Sequence, residues 1–478
     1  MSLKDLSAIL RVLSLVMLLP LAVTIYDVWG LGLSAVASRS WAFIVPSFIL
    51  YVLHRLFRVL GFSAVPNTKN IMMTVVLAWT IIALVGALPF LIRGAFGPVD
   101  SFFESMSGWT TSSFSMIREY GGFDRDLLAY RGISQAMGGL GMISLGMMVM
   151  LQGSSLAIGY SDIGIHKIKP GIRQTIVESW KIYALYMLFG VVMLYIAGMG
   201  LFDAFNYGVA AVSTGGLGTH SSVAYFDSLP IEAVLVVLML LGMTSYVIHY
   251  HLFNGGYSAL KSEEVKYFAA ILVFSIIAVM ASVWGKEVAG LDTESVLDVG
   301  RKTVFLVVSG MSTCGFSTMD FGQWPDFAKI WMIGLMYVGG MSSSTAGGIK
   351  VIRFIVMLKA VHYSLKKLIL PKSAILLIRV DHKILRDDII TIIGYSAVYL
   401  FIVMGMSMAL MFLGYAGIES ISTMMTAMGN GGMTVISGDA WYNMPDAGKL
   451  NIILAMWVGR IEIYPGLLLL KSLVDKFT

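Results

Sequence analysis

Four short stretches of this chain hold the residues that could do chemistry, and that chemistry is cation coordination by backbone oxygen. They are Thr111-Ser112-Ser113, Thr214-Gly215-Gly216, Thr313-Cys314-Gly315 and Asn430-Gly431-Gly432. Aligned on their third residues, they stand 103, 99 and 117 residues apart. In three of them an acid, Asp100, Asp203 or Glu419, lies 13 positions before that third residue. A filter of carbonyl oxygens replaces an ion's hydration shell. Aiming consecutive carbonyls at one axis demands unusual dihedrals and no bulky Cβ, hence glycine. Thr111, Thr214, Thr313 and Asn430, two positions earlier, can add oxygen or hydrogen-bonding support. A helix leading into each stretch would aim its partly negative C-terminal end at the same point, which favours a cation. One such cluster, in a chain with 50 glycines, would read as close helix packing. Four in register read as a ring.

The elements that must position such a ring follow from composition. Of 478 residues, 57% are apolar and 13% charged, and the mean hydropathy is +0.82. Soluble domains carry about a quarter charged residues. The chain is therefore expected to be an integral membrane protein, which excludes a secreted enzyme, a nucleic-acid-binding domain and a disordered scaffold. Ten apolar segments can cross about 30 Å of hydrocarbon: 6–27, 40–62, 71–93, 128–151, 174–200, 230–253, 265–285, 327–360, 388–414 and 449–473. The first run is too long for a signal-peptide core and reads as a retained span. Four semi-apolar segments, 99–116, 202–219, 294–318 and 416–436, are too short or too polar to cross and read as re-entrant hairpins. The expected fold is an all-α polytopic membrane protein with four span–hairpin–span repeats around one pore. It divides into an N-terminal two-helix hairpin (1–65) and repeats over 66–160, 161–260, 261–370 and 371–478. Two spans per repeat return the chain to one side, so the repeats are parallel, not inverted.

Charge sets the orientation. With both termini cytoplasmic, 21 of the 33 basic residues fall inside, nine of them between Lys350 and Arg386, as the positive-inside bias requires. The outer face then holds 10 bases against 18 acids, a net −8 that would concentrate cations. The single cysteine, Cys314, allows no intrachain disulfide or cysteine zinc cluster. No catalytic constellation or ATP site is present, so the chain reads as no enzyme.

Two further features lie at membrane depth. The span 327–360 is interrupted by small and polar residues from Gly339 to Gly348, a stretch that cannot be lipid-facing helix. It reads as a movable barrier of Ser342, Ser343, Ser344 and Thr345, with Gly339, Gly340, Gly347 and Gly348 as hinges. Arg460 falls within the last span, where a charge is costly and by default functional. It reads either as a positive barrier below the filter or as a packing salt bridge, with Glu462 as one partner.

These residues resemble the Trk/Ktr/HKT superfamily of K⁺ and Na⁺ translocating subunits, most closely the TrkH branch. The likeness covers essentially the whole chain. It rests on Glu104-Ser105-Met106-Ser107-Gly108-Trp109-Thr110-Thr111, on Ser312 to Ser317, on the run from Gly339 to Arg353, and on Gly459-Arg460-Ile461-Glu462. The resemblance implies passive K⁺ uptake, and a homodimer in a prokaryotic plasma membrane with one pore per protomer. It also implies a separate cytoplasmic RCK-type (TrkA-like) nucleotide-binding subunit that controls opening. Where the family pattern has T-T-T-G, this chain has Thr110-Thr111-Ser112-Ser113. In the plant HKT branch, serine there goes with Na⁺ preference, so K⁺ selectivity is expected to be relaxed. The alternative is a Na⁺-permeable or Na⁺-coupled secondary transporter, which inverted repeats with broken helices would mark.

Overall fold

The computed structural model describes residues 3–28, 33–61, 68–151, 172–284, 286, 288, 295–370, 378–380, 383–385, 388–436 and 438–474. The expected unit boundaries at 65/66, 160/161 and 370/371 touch residues outside that set, as do Lys372 and Arg386 of the basic stretch.

The chain opens with α1 (Leu3–Val16) and α2 (Leu21–Val28), joined by turns at Pro20, and α3 (Leu33–Val59) returns beside α1. Then comes a long–short–long pattern, four times over. The first set is α4 (Thr68–Val85) with α5 (Leu88–Ile92), the short α6 (Pro98–Thr110), and α7 (Arg125–Leu151). The second is α8 (Ile172–Ile196), α9 (Leu201–Val212), and α10 (Leu229–Met243) with α11 (Tyr246–Phe253). The third is α12 (Glu263–Val283), α13 (Val296–Met311), and α14 (Asp326–Val338) with α15 (Val351–Ile369). A two-stranded antiparallel hairpin, β1 (Ile378–Val380) and β2 (Lys383–Leu385), leads to the fourth. That set is α16 (Asp388–Phe412), α17 (Gly417–Met428), the small α18 (Gly438–Tyr442), and α19 (Asp446–Arg460) with α20 (Ile463–Val474).

Local chemistry explains the starts of the short helices. Pro98 occupies the first turn of α6, where a missing N–H costs nothing. Ser295 caps α13 by accepting the Asp298 N–H at 3.3 Å. Glu419 of α17 reaches back to the Ala416 N–H at 3.0 Å. All four short helices have an acid in the first turn, Asp100, Asp203, Asp298 and Glu419, facing the positive helix end. The third helix is longer, 16 residues against 13, 12 and 12, so its acid stands further from Gly315 and breaks the 13-residue spacing.

Among the described residues, six helical spans are long and apolar enough to cross a membrane, and a pair bent by 100° makes seven. That pair is α10 and α11, so the expected continuous span 230–253 is broken at Thr244–Ser245. The span 449–473 is divided as well, at Ile461–Glu462, where Glu462 adopts φ 54°. The break anticipated in 327–360 separates α14 from α15. Phe401 and Phe412 of α16 are 80% and 91% exposed, as lipid-facing side chains are. The interior is closed by Met424 and Met428 of α17 against Met456 of α19, and by Ala210 and Ala211 of α9 with Phe305 and Val308 of α13. The chain is an all-α polytopic membrane protein.

Candidate ion pathway

The four short helices end alike. In α6, the Thr111 N–H donates to the Gly108 carbonyl at 3.2 Å and the Ser112 N–H to the Ser107 carbonyl at 2.9 Å. The same pair of capping bonds closes α9 at Thr214 and Gly215, α13 at Thr313 and Cys314, and α17 at Asn430 and Gly431. The capping residue is left-handed each time: Thr111 φ 53°, Thr214 φ 52°, Thr313 φ 56° and Asn430 φ 54°. Glycine is the usual occupant of such a cap, so three threonines there are strained, as residues at functional sites often are. Two positions later the chain turns left-handed again, at Ser113 φ 62°, Gly216 φ 64°, Gly315 φ 80° and Gly432 φ 64°. φ therefore changes sign at every step, which turns successive peptide planes the same way.

These second residues meet. A Cβ added at Gly216 would fall on the Cys314 carbonyl oxygen, one at Gly315 on the Gly431 oxygen, and one at Gly432 on the Ser112 oxygen. The relation is the same each time: each ring glycine presses on the carbonyl just before the ring residue of the next segment. Only glycine fits three of the four places. At the fourth, the Ser113 side chain enters the space the glycines leave open, with its Oγ 2.6 Å and its Cβ 2.7 Å from where a Gly315 Cβ would stand. Each ring residue is partly exposed while both its neighbours are buried. The opening is a cavity of about 550 Å³, lined by the four ring residues together with Tyr120 and His220.

The residues between cap and ring do not present side chains to this opening. Ser112 is fully buried, bonded to Thr110 Oγ1 at 2.7 Å and to Asn430 Nδ2 at 2.8 Å. Cys314 Sγ points to the Ala210 carbonyl, and Gly215 lies against Gln135. Gly431 is likewise buried, close to Thr313. What these positions offer the opening is backbone. The caps also differ in their support: Thr214 Oγ1 bonds its own neighbour's carbonyl, Asn430 also reaches the Met456 carbonyl at 3.0 Å, and Thr313 Oγ1 accepts the Gly347 N–H at 2.7 Å.

That last bond joins the end of α13 to the interrupted segment. Its two ends cross, with the Ile349 N–H on the Tyr337 carbonyl at 2.9 Å and Gly339 against Gly348. Thr345 Oγ1 donates to the carbonyls of Val212 and Gly242, at 3.0 and 2.9 Å, and Gly347 sits on the Gly429 carbonyl. The segment thus lies against the C-terminal ends of α9, α13 and α17. Gly339 and Gly348 are left-handed, as hinges would be, at φ 72° and 73°. Gly340 and Gly347 are there for close approach instead, and Ser343 (φ 54°) and Lys350 (φ 77°) supply the other left-handed turns. Ser344 Oγ bonds back to the Met341 carbonyl.

Several partners of this arrangement were not evident in the sequence. The break at Thr244–Ser245 frees the carbonyls of Gly242 and Met243, which accept the Thr345 and Met341 N–H groups at 3.2 and 2.9 Å. Glu264 on α12 accepts both the Ser342 N–H and the Ser342 hydroxyl at 2.7 Å. Glu104, buried in α6, accepts the Met116 N–H and Ser115 hydroxyl at 2.9 Å and pairs with Arg131 at 3.0 Å. Gln135 clasps Leu217 through both its amide groups. Glu104, Arg131 and Gln135 are polar residues inside apolar runs, which is the one signal that could have found them.

Arg460 ends α19 at the break, fully buried, with Nη2 on the Gly138 carbonyl at 2.5 Å and its guanidinium over Trp79. Its partner is not Glu462, which pairs with Arg353 at 2.8 Å. The charges expected on the outer face are largely held in pairs. Arg131 is internal, while Arg93 pairs with Asp124, Arg301 with Glu232 and Lys449 with Asp100. Each pair takes one base and one acid, so the expected net −8 is unchanged while the bases are held locally.

The chain matches the family model of TrkH, described as cation transport protein, over residues 32–476. It is 32% identical to an uncharacterized cation transporter of Methanocaldococcus jannaschii, across 88% of this chain and 87% of that one. It is 30% identical to the Trk system potassium uptake protein TrkH of Halomonas elongata, across 83% and 84%. The crystal structure of the potassium transporter TrkH from Vibrio parahaemolyticus superposes with a TM-score of 0.83, at 26% identity, over 98% of this chain and 97% of that one. The chain belongs to the TrkH family of cation transport proteins.

Proposed function

We propose that this chain is a channel-like K⁺ uptake subunit. It passes cations down their electrochemical gradient through a carbonyl-lined ring of Ser113, Gly216, Gly315 and Gly432, gated by the segment from Gly339 to Gly348. The observation that carries the reading is the repeated left-handed pair at four helix ends, meeting at one opening. Four parallel units, 66–160, 161–260, 261–370 and 371–478, with an extra hairpin over 1–65, favour a shared axial path over alternating access. The likeness to potassium uptake proteins such as that of Halomonas elongata supports the choice of ion. Both termini are cytoplasmic on the positive-inside bias. The homodimer and the RCK-type regulatory subunit rest on the family resemblance.

Ser113 supports a second element of the reading, a weakened preference for K⁺ over Na⁺, because its Cβ holds one ring segment where the others are free. The test is flux in proteoliposomes under K⁺, Rb⁺ and Na⁺ replacement. Passive K⁺ and Rb⁺ flux with measurable Na⁺ flux is expected. Transport that requires a coupled Na⁺ gradient would refute the channel-like reading in favour of a secondary transporter.

A further inference from the structure

A second cavity lies far from the filter, between α1 and α3. Its volume is about 780 Å³. Lys4, Ala8, Arg11 and Leu15 line it from α1, three or four residues apart and so on one helical face. His54 and Arg58, one turn apart, line it from α3. The side chains are graded along its length. Bases lie toward the start of α1, while Val12 and Leu15, further along, are 53% and 62% exposed. From Lys4 to Leu15 the helix rises roughly 16 Å, about half the hydrocarbon thickness and thus one leaflet.

The cations here are uncommitted. Arg93, Arg131, Arg301 and Lys449 each have a carboxylate partner, whereas Lys4, Arg11 and Arg58 have none among the described residues. Buried His54 is fixed by its Nδ1, 2.8 Å from the Ser7 carbonyl and 2.9 Å from the Ser7 hydroxyl. Its Nε2 has no protein partner among the described residues. Side chains on a helix lean toward its N-terminus, so Arg11 reaches down α1 while Arg58, on the antiparallel α3, reaches up. The two converge on one level. A free anion would use the bases and leave the apolar wall idle; a phospholipid uses both.

We propose that the groove between α1 and α3 binds one anionic phospholipid, its phosphate held by Lys4, Arg11 and Arg58 and its acyl chain lying on Ala8, Val12 and Leu15. The α1 side of the groove lies outside the family match, which begins at residue 32, whereas His54 and Arg58 lie within it. The leaflet follows from the orientation proposed above. Binding measured in detergent is blind to sidedness, so failure there refutes the site and leaves the orientation standing.

The test is native mass spectrometry of the full chain in detergent, titrated with phosphatidylglycerol, with phosphatidylcholine of the same chains, and with inorganic phosphate. Each base near an anionic surface is worth about fivefold in binding. Arg11→Gln with Arg58→Gln should therefore weaken phosphatidylglycerol roughly twenty-five-fold and leave phosphatidylcholine unchanged. The Arg11→Lys, Arg58→Lys pair should restore binding, and Lys366→Gln with Lys367→Gln on α15 should not disturb it. Ala8→Trp fills the groove without removing charge and should also expel the lipid. Equal binding of the two lipids, or wild-type binding by Ala8→Trp, overturns the proposal. Displacement of phosphatidylglycerol by equimolar phosphate does so too, since it marks a site for free anions.

Discussion

Replacing Ser113 by glycine makes the ring uniform, and the structure says what should change. At φ 62° a residue with a Cβ is strained, by about 1–2 kcal/mol. Glycine removes that strain but adds about 0.5–1 kcal/mol of unfolded-chain freedom. Stability should therefore rise by only about 0.5 kcal/mol, an increase of a degree or two in Tm at most for a chain this long. The larger effect is on ions. The Ser113 Cβ and Oγ occupy the space left open by Gly216, Gly315 and Gly432, so its segment cannot relax around an ion as the others can. If that constraint costs K⁺ about 1 kcal/mol relative to Na⁺, Ser113→Gly should raise the K⁺/Na⁺ permeability ratio about fivefold. Ser113→Ala separates the causes, because it keeps the Cβ and the left-handed φ and loses only the hydroxyl. Bi-ionic potentials in planar bilayers measure the ratio directly. The reasoning predicts that alanine behaves like serine. A glycine variant with an unchanged ratio, or an alanine variant matching glycine, refutes it.

Other consequences concern the gate and the mouth. Glu264 holds Ser342 by two hydrogen bonds, and one charged-acceptor bond contributes about 1.5 kcal/mol. Glu264→Gln should therefore raise unstimulated flux roughly tenfold, and unchanged flux from a folded variant would count against a latch. Deleting Ser342–Ser344 should increase leak in the same assay. Arg460→Ala should also leak if the guanidinium is a barrier; lower Tm with wild-type flux would make it a packing residue only. Burial holds the His220 imidazole below its usual range, against a weaker opposite pull from Asp203. His220 is thus neutral near pH 7 and gains charge at the cavity only in more acidic medium. Cation flux should stay flat at and above neutral pH and fall only as the medium is made acidic, and His220→Gln should abolish the fall.

The membrane class, the four alike helix-end stretches and the break at Gly339–Gly348 were legible because each is a local property. Charge scarcity, glycine at places where φ turns positive, and polar residues amid apolar ones need no partner to be recognised. The two other breaks were not legible. Thr244–Ser245 and Ile461–Glu462 sit in runs apolar enough to continue as helix, and what opens them is the demand of the segment from Gly339 to Gly348 for carbonyl acceptors and of Arg353 for a carboxylate.

Sequence alone determined that four helix ends share one backbone recipe, since repeat spacing and residue type survive translation into any fold. It could not say which carbonyl each glycine faces, that Cys314 turns away from the opening, that Ser113 fills its centre, or that Arg460 bonds Gly138 and not Glu462. Those are contacts between residues as much as 322 positions apart. Only packing brings such groups together, and a partner met in the low-dielectric interior is worth more than one met in water.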